Sequence, residues 1–345
     1  AFRIESLSPS IRSLSPLSLN FKSLNFFLRF KSISNSELKK SEGWISLIKY
    51  SNFSKKISFK NYLSKFIKLN AKNNLFVSII TLTTDYGLKD PSVSIIKGMI
   101  YSQNNSCVVV DITHKISPFN KYEASYTIKN SYTAFPRGSV HIIDVDAKQN
   151  PEQNLITVFL DDHYFISANN GIIPLISTVI KPTKIIEMDF QESKKETFVK
   201  AATHLQRGGN INLLGNQINE LFELNELQIN LVGNNEIQGK VIYIDNYGNV
   251  VTNIDKQIFD EFGDGRKYTI HARRIKFDKI YKSYSDAINF NIKKDLREEE
   301  GKKIAIFNKF KKLELGIYKS NPKTYGSAHT LFGLNYSDTV TVIFE

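Results

Sequence analysis

Cysteine is nearly absent from this chain. The lone Cys107 excludes an internal disulfide, and no Cys/His cluster has the spacing of a zinc site. Long apolar runs are also missing, and none approaches the ~20 residues that a membrane-spanning helix requires. No internal repeat is present, which excludes a solenoid or propeller array. Acidic residues are scarce at one end only. Residues 1–74 contain no Asp and three Glu against 14 Lys and Arg, whereas the remainder holds 32 basic and 31 acidic residues. Of the net charge of +12, +11 therefore resides in the first 74 residues. The rest of the chain is close to neutral and implies no nucleic-acid face. A reducing, cytoplasmic setting is expected, with Cys107 packed as a small apolar residue.

What is present divides into three parts. Residues 1–74 are rich in Ser, Lys, Asn, Phe and Leu without a sustained period. They read as a disordered or spurious extension; a targeting segment and a membrane-surface or nucleic-acid arm are the alternatives. Residues 75–232 read as an α/β domain. Apolar runs at Phe76–Leu82, Cys107–Ile112 and Val140–Val145 are expected strands, and helical patterns lie between them at Pro91–Tyr101 and Lys121–Ala134. Strand–helix alternation implies a mostly parallel sheet with flanking helices. A hairpin at Leu155–Leu160 and Tyr164–Ser167, a helix over 172–180, a strand at Lys184–Met188 and a helix at Glu196–Gln206 follow. From residue 233 to 345 the runs are short and alternating, which predicts a mainly antiparallel β-barrel-like domain.

Two strings carry the chemistry: Thr83-Thr84-Asp85-Tyr86-Gly87 and Asp245-Asn246-Tyr247-Gly248-Asn249. Each ends an apolar run with a carboxylate and continues into a Gly-containing turn. Carboxylates accept from ribose hydroxyls, an amide reads base edges, and Gly removes bulk, so together they suit a nucleoside. Each residue also has a plainer structural reading. Asp85 can cap a strand-end turn. Asp90, before Pro91, can cap a helix. The second string can be a hairpin turn, which needs Asn246 and Gly248 but not Asp245. Phe119 can be core. His114, at a strand end, can face a pocket or be a satisfied polar core residue, and His141, within a strand, reads as structural. Asp161-Asp162-His163 reads as a solvated hairpin turn rather than a metal site.

Ile80–Gly87, Lys97-Gly98, Val110–His114 with Ser117-Pro118-Phe119, Phe135–His141, Asn169-Asn170-Gly171 and Tyr243–Asn253 occur in an order that resembles the S-adenosylmethionine (SAM) hydroxide adenosyltransferases, relatives of the SAM-dependent fluorinase and chlorinase. The resemblance covers about residues 77–345. It implies SAM as substrate or ligand, no separate cofactor or metal, and a homotrimer with sites shared between subunits, without nucleic acid or membrane. It further implies that Asp85 grips the ribose, Asp90 and Asp245 meet the methionine end, Asn249 and Tyr247 contact the adenine, and Phe119 covers the sugar. Asp146 would be the catalytic carboxylate of a water-orienting Asp, Arg and His. The chain departs from that trio. Ala147–Asn154 has no Arg, and Ser193-Lys194-Lys195-Glu196 stands where a His-containing string is expected. Lys148, Lys194 or Lys195 can supply a point charge there, without Arg's planar fork. The polar 147–154 loop also speaks against a halide site. The expected reaction is SN2 attack of water or hydroxide at ribose C5′. The alternative is a SAM or adenosine binder that has lost the water machinery.

Overall fold

The computed structural model describes residues 79–147, 153–189, 192–225, 227–297, 299 and 301–345. The 1–74 extension, the start of the first expected strand at Phe76–Ser78, and Lys148 lie outside them. The first sheet contains β1 (Ile79–Thr84), β2 (Val108–Thr113), β3 (Val140–Asp144), β4 (Leu155–Leu160), β5 (His163–Ala168), β6 (Lys184–Met188) and β7 (Gly215–Gln217), in the order β2-β1-β3-β5-β4-β6-β7. Pairings from β2 through β5 are parallel, and the remaining three are antiparallel. The helices are α1 (Ser92–Gln103), α2 (Lys121–Lys129), α3 (Ile172–Ile176) and α4 (Lys194–Gln206).

Strand alternation decides which face each residue serves. Ile80, Leu82, Val140 and Ile142 pack against Ile96, Ile100, Phe198 and Val199 of α1 and α4. Ile143, Ile156 and Phe165 pack on the other face with Ile128, Ile172 and Ile173 of α2 and α3. Cys107 is buried in the first of these cores, as expected. His141 faces the second. Its Nδ1 lies 2.7 Å from Thr81 Oγ1 and its Nε2 lies 3.1 Å from His163 Nδ1, against the rings of Tyr132, Phe135 and Phe165. Burial, with the neighbouring His163, holds His141 down to about 3, so both rings stay neutral near pH 7. The hairpin turn is only partly solvated: Asp161 and Asp162 are exposed, but His163 is buried in this pair.

The two helices nearest the site begin under strong local control. Asn120 caps α2 by accepting from Glu123 N at 3.1 Å, and Ser193 with Glu196 forms a capping box on α4. The expected cap at Asp90 is not formed. Pro91 occupies the cap position of α1 and no side chain caps it, so Asp90 lies one residue too early to reach the free N–H groups. The expected Lys121–Ala134 helix is interrupted after Lys129 and resumes as a 3-10 turn at Tyr132–Ala134.

The second sheet joins β8 (Asn230–Val232), β9 (Glu236–Ile244), β10 (Val250–Asp255), β11 (Tyr268–Ala272), β12 (Ile275–Phe277), β13 (Ile280–Tyr281), β14 (Lys303–Phe307), β15 (Lys312–Ile317) and β16 (Thr339–Phe344). Its main order is β12-β11-β16-β9-β10-β15-β14-β13, with β8 on β9, and all pairs but β13–β14 are antiparallel. The ends approach each other, and Lys303 Nζ donates to Lys276 O at 2.6 Å across the seam. The sheet is thus nearly closed into a barrel, with α5 (Lys256–Gly263) and α6 (Ala328–Phe332) packed on it. Among the described residues, no helix is long and apolar enough to cross a membrane.

Candidate functional site

The C-terminal ends of β1 and β3 lie side by side, and open α/β sheets place their ligands at such ends. Asp85 follows β1, and its Oδ2 accepts from Phe119 N at 3.0 Å and from Asp146 N at 3.3 Å. Both donors sit in the left-handed region, with φ of 63° and 45°. That conformation costs a non-glycine residue roughly 1–3 kcal/mol and persists where its surroundings impose it. Here two loops from different parts of the chain are pinned to a single carboxylate oxygen. Asp85 Oδ1 accepts no hydrogen bond among the described residues. Asp85, Phe119 and Asp146 therefore come together, with Phe119 exposed at the surface of the group.

The surroundings of Asp146 were not legible in advance. Its Oδ2 lies 3.0 Å from Lys121 Nζ, and its carbonyl accepts from Gln153 Nε2 at 3.0 Å and Asn170 Nδ2 at 3.2 Å. Alternation sends Asp144 to the α1/α4 face, where its side chain is fully buried. Asp144 Oδ2 accepts from Tyr86 OH at 2.6 Å, and Oδ1 accepts from Lys194 Nζ at 2.6 Å. Lys194 also donates to Tyr86 OH at 3.1 Å and to the Ala147 carbonyl. Burial, and then the charge and hydrogen bond of Asp144, push the Tyr86 phenol well above its usual value, so it stays protonated. Lys195 takes a peripheral place, 3.1 Å from Ser92 Oγ and over the Tyr86 ring. His114 is buried between Thr84 Oγ1 at 3.0 Å and Asp111 Oδ1 at 3.1 Å. Asp90 is exposed and does not join the group.

The second string forms a separate group on the barrel. Asp245 Oδ1 accepts from Tyr247 N at 2.8 Å and Asn249 N at 2.9 Å, and Oδ2 accepts from Asn249 Nδ2 at 2.9 Å. The turn thus uses Asp245 after all, as an Asx-type anchor. Gly248, with φ of 73°, is required on two counts: the left-handed backbone, and Ser327 Oγ only 2.1 Å from where a Cβ would sit. Asn249 is only 7% exposed, and its Oδ1 has no hydrogen-bond partner among the described residues. A buried amide oxygen left unpaired is costly. It borders a cavity of about 410 Å³ lined by Asp245, Tyr247, Tyr284, Glu314 and Tyr318. An adjoining cavity of about 400 Å³ lies between Tyr126 of α2 and Tyr243, Phe310 and Glu314 of the barrel. Neither is lined by Asp85, Phe119 or Asp146. Among the described residues, no group of three or more His, Cys, Asp or Glu side chains could hold a metal ion.

Fold and site together define a two-part protein: a parallel-rich α/β sheet with carboxylates at its strand ends, and a nearly closed barrel with a polar turn. Residues 80–215 match the model of the SAM hydroxide adenosyltransferase N-terminal domain, and residues 239–341 match that of its C-terminal domain. The chain belongs to the SAM hydroxide adenosyltransferase family. It is 27% identical over 279 residues to the (R)-S-adenosyl-L-methionine hydrolase of Methanocaldococcus jannaschii, covering 78% of this chain and 97% of that protein. A fluorinase from Nocardia brasiliensis is 24% identical over 54% of this chain and 74% of its own. A solved structure of a conserved protein from Thermotoga maritima superposes with a TM-score of 0.66 at 21% identity, over 77% of this chain and 100% of that one, and supports the fold.

Proposed function

We propose that this chain hydrolyses S-adenosylmethionine to adenosine and methionine, with the (R)-sulfonium epimer that its relatives are named for as the first substrate to test. A water or hydroxide oxygen forms a bond to ribose C5′ while the C5′–sulfur bond breaks. The electron pair stays on sulfur as neutral methionine, and the proton of an attacking water passes to solvent. The sulfonium needs no protonation, so the protein's task is alignment and exclusion of competing water. In this reading Asp85 Oδ1 holds the ribose, Asp146 with Lys121 orients the nucleophile, and Phe119 covers the sugar. Asp90 and Asp245 face the methionine end, while Asn249 and Tyr247 hold the adenine. The observation that carries it is the convergence of Asp85, Phe119 and Asp146, within a family-matched chain, at one strand-end group.

The site is completed by a second copy in a homotrimer. Phe119 and Tyr247 are 61% and 65% exposed, and the cavity beside Asn249 is not lined by Asp85, Phe119 or Asp146. The full chain incubated with (R)- and with (S)-SAM is expected to release adenosine and methionine in equal amounts, and Asp85→Ala to abolish release. No adenosine above the spontaneous rate, from neutral to alkaline pH, ends the hydrolase reading. The Ser193–Glu196 replacement favours one second reading, a non-catalytic SAM or adenosine binder. That reading requires binding heat with either ligand and no product.

A further inference from the structure

Two lysines open the helices that flank the end of β3: Lys121 is the first residue of α2, and Lys194 is the first residue of α4. A cation there opposes the positive end of the helix dipole, so each position is unfavourable by itself. Each lysine meets a different carboxylate at the end of β3, Lys121 with Asp146 and Lys194 with Asp144. The Lys194 pair is the more deeply placed, with the Asp144 side chain fully buried and that of Lys194 15% exposed. Burying such a pair is expensive in desolvation, and apolar residues of similar volume serve stability as well or better. Stability alone is a poor account of it.

The geometry supplies another. Lys194 reaches past Asp144 to the carbonyl of Ala147, the residue directly after Asp146. The backbone of Asp146 is thereby held from every side: its N–H on Asp85, its carbonyl on Gln153 and Asn170, and the next carbonyl on Lys194. Tyr86, directly after Asp85, closes the group by donating to Asp144 and accepting from Lys194. We infer that Tyr86, Asp144 and Lys194 form a polar clasp that fixes the left-handed backbone of Asp146 and keeps it registered to Asp85. Lys194 is thus a positioning residue, acting through the loop rather than on substrate. This inference rests on the hydrolase reading for its kinetic consequence, but not for its structural one.

The test compares the wild-type full chain with K194R and with the triple variant Y86F/D144V/K194M. The triple variant removes every polar member together and so leaves no orphaned buried charge. It is expected to fold and to bind SAM with KM within about threefold of wild type, while kcat falls about 100-fold, the scale of a misplaced reacting group. K194R, which keeps the charge, is expected to retain at least roughly a tenth of kcat. Amide hydrogen exchange in the peptides carrying Phe119 and Asp146 is expected to accelerate roughly tenfold or more in the triple variant. A folded triple variant with wild-type exchange in those peptides overturns the clasp, and so does one with wild-type kcat. If wild type itself releases no adenosine, the hydrolase reading fails, and the exchange measurement alone decides the clasp. If the triple variant does not accumulate, D144N/K194Q, which is neutral and of similar volume, carries the same expectations.

Discussion

Lowering the pH should destabilise this protein through one buried contact, the His141–His163 pair. His141 is fully buried, and its folded-state value is about 3 against about 6.5 in an unfolded chain. Below pH 6.5 the unfolded chain takes up a proton at His141 that the native state refuses until near pH 3. Native stability therefore falls with pH through that window, by about 1.4 kcal/mol per unit for one such group. At pH 4.5 the loss from His141 is about 2.7 kcal/mol relative to neutral pH. His163, also held below its usual value by burial, adds to it. His141→Phe isolates the effect, because Phe keeps the stacking on Phe165 but neither hydrogen bond. At pH 7.5 the variant should be less stable by roughly 2–4 kcal/mol, since Thr81 Oγ1 and His163 Nδ1 lose their partner. At pH 4.5 the gap should narrow by about 2.7 kcal/mol, as wild type alone bears the protonation cost. Urea unfolding followed by circular dichroism at both pH values measures the gap. A gap constant to within about 0.5 kcal/mol refutes the buried-pair explanation.

The barrel side offers two further tests. On the proposed function, Asn249→Ala should weaken adenosine binding about 10- to 100-fold in a calorimetric titration, because its Oδ1, without a hydrogen-bond partner among the described residues, would accept from the ligand; unchanged affinity would remove Asn249 from the site. Gly316→Ala should destabilise the barrel by about 1–3 kcal/mol in a urea titration, since its Cβ would lie 2.2 Å from Tyr284 Oη and 2.6 Å from Asn249 Oδ1; an unshifted midpoint would show that both side chains yield freely.

Much of the architecture was readable because it depends on local pattern. The β-branched run Ile79–Thr84 and the apolar Val140–Ile143 could only be buried strands, and their spacing with α1 and α2 implied parallel pairing. Asp85 was readable as a candidate site residue because it ends such a run, whereas Asp146 was named only through the family resemblance. Asp144 was overlooked for the opposite reason: one carboxylate inside an apolar strand carries no local sign of its partner, and Lys194 lies 50 residues away. The Asp90 cap was misplaced because a one-residue shift in helix start is invisible to propensity. Asp245 looked dispensable to its turn because Asx anchoring depends on side-chain geometry that composition does not encode.

Sequence by itself determined the layers of this protein, the charge imbalance of its first 74 residues and the family motifs, since hydrophobic period and residue order are local properties. Only the tertiary structure decided which charges meet. Lys121 and Lys194 are alike in sequence, each a cation at a helix start. The turn of the Asp146 backbone into the left-handed region gives them different carboxylates on opposite faces of one sheet. That division follows from the break in strand alternation at Asp146 and from long-range packing, which bring distant residues together only once the chain has folded.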